Sequence, residues 1–157
     1  MSDLYEPHDL QREMHRSQPP DVPIAHVSDV KQMLTQPGLS SLLLEDNEMN
    51  AFLLQEYLGL MDLPEAHWVR CIAEAIDLSD EIVNGTYDVL FFDLMLPDGE
   101  SFALARHLSE HCRIPLIAYT ACSQPEDYHR MASSGFQDFL PKPLSFCHFK
   151  NRVTALL

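Results

Sequence analysis

The stretch Asp88-Val-Leu-Phe-Phe-Asp93, followed by Leu94-Met-Leu-Pro-Asp-Gly99, decides how the rest of the chain is interpreted. Its four apolar residues fit a short strand that is covered on both faces, and the proline and glycine after it indicate a turn. Asp93 therefore lies at the carboxyl end of a strand, which is the edge at which open α/β sheets bind ligands. This position favours a chemical role for the carboxylate over a packing role.

Three further strand-like runs also end on polar side chains. They are residues 42–44 before Glu45 and Asp46, residues 115–119 before Thr120, and residues 136–140 shortly before Lys142. Because the carboxyl ends of parallel strands meet at one edge of a sheet, we expect these side chains to converge on Asp93.

From residue 39 onward, strand-like and helix-like patterns alternate. Strands are predicted at residues 42–44, 67–73, 89–92, 116–119 and 136–140, and helices at about 47–61, 76–84, 101–112, 125–134 and 145–156. Five such βα units imply an α/β fold in which a doubly wound parallel sheet is covered by five helices on its two faces, with right-handed crossovers.

Residues 1–38 differ from the rest of the chain and are interpreted as an N-terminal extension to a domain at 39–157. The extension contains five of the 11 prolines and few aromatic or branched apolar residues, which is typical of irregular structure. A short helix is expected at about 28–36, after Ser28 as its N-cap. This helix could pack on the domain, mediate self-association, bind a partner or be only a frayed local turn.

Composition excludes several classes of function. A chain of 157 residues fits one domain with an appendage, and a net charge of −14 argues against binding of nucleic acid, which needs basic residues to neutralise phosphates. The sequence has no apolar run of the ~20 residues that cross a bilayer and no signal-peptide layout, so we expect no membrane insertion and a cytoplasmic protein. The four cysteines are widely spaced, which favours reduced thiols over a disulfide framework or a zinc site.

Three carboxylates at one sheet edge repel one another, and a hard divalent cation relieves that repulsion. We expect Mg²⁺, or alternatively Mn²⁺, to bind to Asp46 and Asp93, with Glu45 acting through water and a backbone carbonyl from the following loop as a further ligand. Thr120 can donate a hydrogen bond to a phosphoryl oxygen, and Lys142 supplies a positive charge for the same group. The set predicts an aspartyl-phosphate site.

In sequence, residues 40–157 resemble the receiver domain of two-component response regulators, in particular the single-domain, chemotaxis-regulator-like type. The resemblance is carried by Leu-Leu-Leu-Glu-Asp-Asn at 42–47, Phe-Phe-Asp-Leu-Met-Leu-Pro-Asp-Gly at 91–99, Ala-Tyr-Thr-Ala at 118–121 and Phe-Leu-Pro-Lys-Pro at 139–143. The motifs occur in the family's order and spacing. The resemblance implies a flavodoxin-like sheet with strand order 2-1-3-4-5.

The same resemblance implies a role for each acidic residue. Asp93 would be the phosphoacceptor, taking a phosphoryl group from a histidine kinase or a histidine phosphotransfer protein. Glu45 and Asp46 would be the acidic pair that organises Mg²⁺, and the backbone carbonyl of Met95 would be a further metal ligand.

The resemblance also implies a switch. Thr120 and Lys142 would correspond to the family's switch hydroxyl and lysine, and Phe139 to an aromatic residue that moves inward as the hydroxyl turns toward the phosphate. The phosphoryl group would then reshape a protein-binding surface, so that the signal passes to a protein effector. Because no second domain is seen after Leu157, we expect a single-domain regulator, with a homodimer as a further option.

Two alternatives remain at this point. A receiver-like module could act by protein contact without taking phosphate. A phosphohydrolase of the haloacid dehalogenase type also uses a strand-end aspartate, but it needs a second aspartate two residues later, where this chain has Met95. We therefore expect a signalling protein that promotes only its own phosphorylation and dephosphorylation, not an enzyme.

Overall fold

The computed structural model describes residues 39–156, which form a five-stranded parallel sheet. The strands of this sheet are β1 (Ser41–Leu44), β2 (His67–Val69), β3 (Val89–Phe92), β6 (Leu116–Thr120) and β7 (Asp138–Pro141). They lie in the order β2-β1-β3-β6-β7, and all four neighbouring pairs are parallel. The strand order 2-1-3-4-5 predicted for the five strands is therefore confirmed.

Six helices accompany the sheet within the described residues. They are α1 (Glu48–Leu60), α2 (Ile72–Asp77), α3 (Ser79–Val83), α4 (Phe102–His111), α5 (Pro125–Ser133) and α6 (Phe146–Leu156). Buried side chains of α1 and α6 pack on one face of the sheet, and buried side chains of α2 to α5 pack on the other. The fold is therefore doubly wound, as predicted.

The continuous apolar strands explain why both faces of the sheet are covered. All residues of β1 and β3 are buried, and successive side chains of a strand point to opposite faces. Leu42 and Leu44 belong to the core cluster under α2 to α5, whereas Leu43 belongs to the cluster under α1 and α6. A strand with one polar face would leave one of these two cores incomplete.

The prediction for the second βα unit was wrong in its boundaries. The predicted strand at 67–73 ends at Val69, and the helix begins at Ile72 instead of residue 76. This helix is divided at Leu78 into α2 and α3, which gives six helices where five were predicted. The early start has a long-range cause, because Asp98 accepts hydrogen bonds from the backbone N–H groups of Ile72 (2.9 Å) and Ala73 (3.0 Å).

The loop after Asp93 forms a small hairpin that the sequence patterns did not predict. Strand β4 (Met95–Leu96) pairs antiparallel with β5 (Gly99–Glu100). Gly99 has a φ of +139°, a backbone conformation that glycine adopts most readily. The hairpin carries Asp98 toward α2 and Glu100 toward α5, where Glu100 forms an ion pair with Arg130.

Two further sequence predictions concern the N-terminal extension and membrane insertion. The helix expected at 28–36, like the whole extension 1–38, lies outside the described residues. Among residues 39–156, no helix has both the length and the apolar composition that crossing a membrane requires.

Candidate functional site

Strand register brings the predicted polar residues to one edge of the sheet. Leu44 is paired with Phe92 across β1 and β3, so Glu45 and Asp93 follow at the same level. The N–H of Asp93 donates to the carbonyl of Leu44 at 2.8 Å, which ties the two strand ends together. On the other side, the N–H of Lys142 donates to the carbonyl of Thr120 at 3.0 Å.

The centre of the site is a buried ion-paired group of two carboxylates and one ammonium. The Lys142 Nζ lies 2.9 Å from Oδ2 of Asp93 and also forms an ion pair with Oε2 of Glu45. The side chain of Lys142 is 10% exposed, that of Asp93 is 10% exposed and that of Glu45 is fully buried. One positive charge therefore faces two buried carboxylates, which leaves the group with an excess of negative charge.

Glu45 is the carboxylate whose ionisation this environment opposes. Burial raises the pKa of Glu45 above its ordinary value of 4.5, and the negative charge of Asp93 acts in the same direction. Hydrogen bonding to Lys142 and to the backbone N–H of Asn47 opposes this rise in pKa without cancelling it. An added cation would lower the pKa of Glu45 because it would favour the charged form.

The two oxygens of Asp93 have different partners. Oδ1 accepts a hydrogen bond from the N–H of Leu94 at 2.7 Å and a longer one from the N–H of Met95 at 3.4 Å. Oδ2 faces Lys142. The carboxylate is therefore held in one orientation, with one oxygen against the backbone and the other toward the acidic group.

Asp46 completes a set of oxygen donors that fits a divalent cation. Carboxylate oxygens of Glu45, Asp46 and Asp93 all lie within 4.8 Å of one another, and Asp46 is exposed whereas the other two are buried. An all-oxygen, carboxylate-rich set is the kind that Mg²⁺ and Mn²⁺ prefer, and an exposed ligand leaves room for waters. The donor set therefore fits the predicted ion.

Among residues 39–156, the Thr120 side chain forms no hydrogen bond with Asp93, and Phe139 lies on the neighbouring strand β7. Thr120 is buried, and its Oγ1 accepts a hydrogen bond from the N–H of Cys122 at 3.1 Å. Phe139 is 8% exposed, and its ring centroid lies 4.8 Å from that of Tyr128 on α5. Met95 lies in β4, and its side chain is 51% exposed.

Three residues that support the site were not singled out from the sequence. Tyr119 lies under Lys142, with Nζ 4.8 Å from the ring centroid, and burial followed by the charge of Glu45 raises the pKa of this phenol. Trp68 donates its indole N–H to the carbonyl of Glu45 at 2.7 Å. Ser101 donates its hydroxyl to the carbonyl of Asp93 at 2.6 Å. The position of Tyr119 directly before Thr120 could have indicated that it lies near the site. Trp68 and Ser101 are brought to the site only by the tertiary fold, so no local sequence pattern indicated them.

The fold and the site together define a class of protein: a doubly wound α/β domain whose strand ends hold a buried aspartate, a lysine and an acidic group suited to Mg²⁺. Residues 42–154 match the family described as the response regulator receiver domain. The chain belongs to this family, which serves two-component signalling.

Individual relatives agree with this assignment. The transcriptional regulatory protein GltR of Pseudomonas aeruginosa is 31% identical over 123 residues, which cover 76% of this chain and 49% of GltR. The aligned part thus spans about half the length of GltR. A separate alignment with the transcriptional regulatory protein SrrA of Staphylococcus aureus covers 46% of that protein.

Solved structures show the same fold. The non-phosphorylated HemR receiver domain from Leptospira biflexa is 29% identical with a TM-score of 0.65, covering 78% of this chain and 97% of that domain. The receiver domain of the sensor histidine kinase PA1611 from Pseudomonas aeruginosa PAO1 has a TM-score of 0.64 at 23% identity, covering 76% of this chain and 97% of that domain. That structure has a magnesium ion coordinated in its active site cleft.

Proposed function

We propose that this protein is a Mg²⁺-dependent phosphoacceptor whose Asp93 takes a phosphoryl group from a histidine kinase or a histidine phosphotransfer protein. The observation that carries the proposal is the contact of Asp93 Oδ2 with Lys142 at 2.9 Å inside a group of three carboxylates within 4.8 Å. The Asp93 carboxylate also lies at the carboxyl ends of parallel strands, which is where open α/β sheets bind their ligands. Membership of the receiver family supports the same role.

The proposed transfer needs few covalent changes. A lone pair of an Asp93 oxygen forms a bond to phosphorus, the phosphorus–nitrogen bond of the phosphohistidine breaks, and its electron pair returns to the imidazole ring. Lys142 is close enough to Asp93 to stabilise negative charge on the transferring oxygens. Thr120 would donate to a phosphoryl oxygen after its hydroxyl turns away from its contact with Cys122.

The metal would be held by carboxylate and backbone oxygens. Asp46 and Asp93 are the proposed direct ligands, with Glu45 acting through water and the Met95 carbonyl as the backbone ligand. When bound, Mg²⁺ supplies the positive charge that neutralises the carboxylates and the transferring phosphoryl oxygens.

The output proposed for this chain is a changed protein-binding surface on α5, β7 and α6. Phe139 on β7 touches Tyr128 on α5, so a movement of either ring would alter that face. We propose a protein effector as the reader and the cytoplasm as the location, with a homodimer as one form that the reshaped face could stabilise. The net charge of −14 disfavours nucleic acid as the direct partner.

Intact mass spectrometry tests the proposal directly. Wild-type protein incubated with Mg²⁺ and acetyl phosphate is expected to gain one phosphoryl group, and Asp93→Asn is expected to gain none. Asp88→Asn is the matched control, because Asp88 lies at the opposite end of the same strand and accepts a hydrogen bond from the Ser40 N–H. Absence of an adduct on wild type, or an undiminished adduct on Asp93→Asn, would contradict the proposal.

The same experiment separates the two alternatives. A module that works by contact alone would show no adduct while still binding its partner. A phosphohydrolase would release phosphate in large excess over protein, whereas a phosphoacceptor would gain one phosphoryl group per chain. Met95 stands where the phosphohydrolase mechanism needs an acid, and its thioether cannot transfer protons.

A further inference from the structure

Ser101 begins helix α4 without capping it. A serine at this position usually accepts a hydrogen bond from a backbone N–H of the first helical turn. Here the hydroxyl makes no such bond, although the Ser101 carbonyl accepts the first intrahelical bond, from Ala105, at 2.9 Å. The side chain is fully buried, and its hydroxyl donates instead to the carbonyl of Asp93 at 2.6 Å.

Ser101 in fact holds two successive peptide groups after Asp93. Its hydroxyl binds the Asp93 carbonyl, and its backbone N–H binds the Leu94 carbonyl at 3.0 Å. In a planar trans peptide, the C=O and N–H groups lie in the same plane and point in opposite directions. Fixing these two carbonyls therefore also fixes the N–H groups of Leu94 and Met95 on the opposite side.

Those two N–H groups are the ones that bind Oδ1 of Asp93, at 2.7 Å and 3.4 Å. Ser101 lies on one side of the two peptides and the Asp93 carboxylate on the other. The rotation of the carboxylate, and with it the placement of Oδ2 toward Lys142, thus depends on a serine that does not touch the carboxylate itself.

We propose that Ser101 is a positioning residue for phosphoryl transfer: it aims the N–H groups of Leu94 and Met95 at Oδ1 of Asp93 and so holds Oδ2 toward Lys142. This inference rests on the proposed phosphoacceptor role of Asp93. Its chemistry is that of preorganisation, because an attacking oxygen that is already oriented does not have to be ordered during the reaction.

The rate of adduct formation is the first test. Ser101→Ala is expected to react roughly tenfold more slowly at saturating acetyl phosphate and Mg²⁺, with the half-saturating donor concentration unchanged, because orientation and not donor binding is lost. The final extent of phosphorylation should match wild type, since a merely destabilised protein would lose extent through its unfolded fraction. Circular dichroism at the assay temperature checks that the variants are folded.

Two further variants are the controls for this rate. Ser41→Ala removes another buried serine hydroxyl, on β1, which finds no hydrogen-bond partner within residues 39–156. Its rate should equal that of wild type. Ser101→Thr keeps the hydroxyl and is expected to react within about threefold of wild type. A wild-type rate in Ser101→Ala, or equal slowing in the Ala and Thr variants, would overturn the inference.

Amide proton chemical shifts test the same geometry without phosphorylation. Hydrogen bonding to a carboxylate moves an N–H proton downfield, so the Leu94 resonance should move upfield in Ser101→Ala and stay unchanged in Ser41→Ala. Unchanged Leu94 and Met95 resonances in Ser101→Ala would overturn the positioning role even if Asp93 took no phosphate. If wild type gains no phosphoryl adduct but the Leu94 resonance still moves upfield in Ser101→Ala, only the proposed function is contradicted.

Discussion

Removing the charge of Lys142 tests whether this residue neutralises the buried carboxylates. Lys142→Met keeps a long side chain over the Tyr119 ring but leaves Glu45 and Asp93 without their ammonium partner. Breaking a buried ion pair by removing one partner costs about 3–5 kcal/mol, because a charge stays buried without compensation. Glu45 can take up a proton, so we expect the lower end, about 3 kcal/mol near pH 7 without Mg²⁺.

This cost can be measured as a loss in the free energy of unfolding. For a chain of this length, 1 kcal/mol corresponds to about 2–4 °C in Tm, so the predicted decrease is about 6–12 °C. Lys150→Met, which removes an exposed lysine of α6, is the control and should stay within about 0.5 kcal/mol of wild type. Equal stability of the two variants in urea titrations would refute the role given to Lys142.

Adding Mg²⁺ and lowering the pH should both reduce the loss of stability in Lys142→Met, because each offsets the uncompensated negative charge. Saturating Mg²⁺ should shrink the difference between Lys142→Met and wild type, because the ion replaces the missing positive charge. Lower pH should shrink it as well, because protonation of Glu45 removes the uncompensated charge. If the stability difference between Lys142→Met and wild type changes with neither Mg²⁺ nor pH, the lost stability comes from packing and not from charge.

Three other outcomes follow from the same structure. The pKa of Glu45 is raised in the folded state, so this residue contributes to the free energy of unfolding below pH 4.5, and that contribution is lost as the pH rises through the raised pKa. Glu45→Gln should remove this pH dependence from urea titrations without Mg²⁺. Gly135→Ala should lower the free energy of unfolding by about 2 kcal/mol, since φ is +89° and a Cβ would lie 2.4 Å from a side-chain carbon of α4. Gly59 in α1 has open space around it, so Gly59→Ala should raise the free energy of unfolding by about 0.5–1 kcal/mol. Asp98→Asn should speed hydrogen exchange at the Ile72 amide without changing exchange in β3, and unchanged protection of Ile72 would contradict its role as the cap of α2.

The sequence predicted the sheet better than the connections between its strands. Strands β1 and β3 were predicted to within one residue because residues 42–44 and 89–92 are all apolar. Such a continuous apolar run indicates a strand buried on both faces even when its neighbours are unknown. Their carboxyl ends then followed from topology, which is why Glu45, Asp93 and Lys142 could be expected to meet.

What the sequence could not predict depends on contacts between distant residues. Helix α2 starts early because Asp98, 26 residues away from Ile72 in the chain, supplies its cap, and no local pattern contains that information. Ser101 shows the same limit: its position before a helix predicts a cap, and only the fold reveals that its hydroxyl is used on Asp93. The functional roles of the site residues stay predictions until the phosphorylation tests above.

The hydrogen bond from the Trp68 indole to the Glu45 carbonyl gives the protein a built-in optical probe. Trp68 is the sole tryptophan of the chain, it is half-buried, and the guanidinium of Arg70 lies 4.2 Å from its ring centroid. Indole emission responds to the polarity and charge around the ring, and here the ring is attached to the strand end that carries the acidic group. We therefore expect intrinsic fluorescence to report the proposed binding of metal and the proposed phosphorylation, without a label and without any change to the sequence.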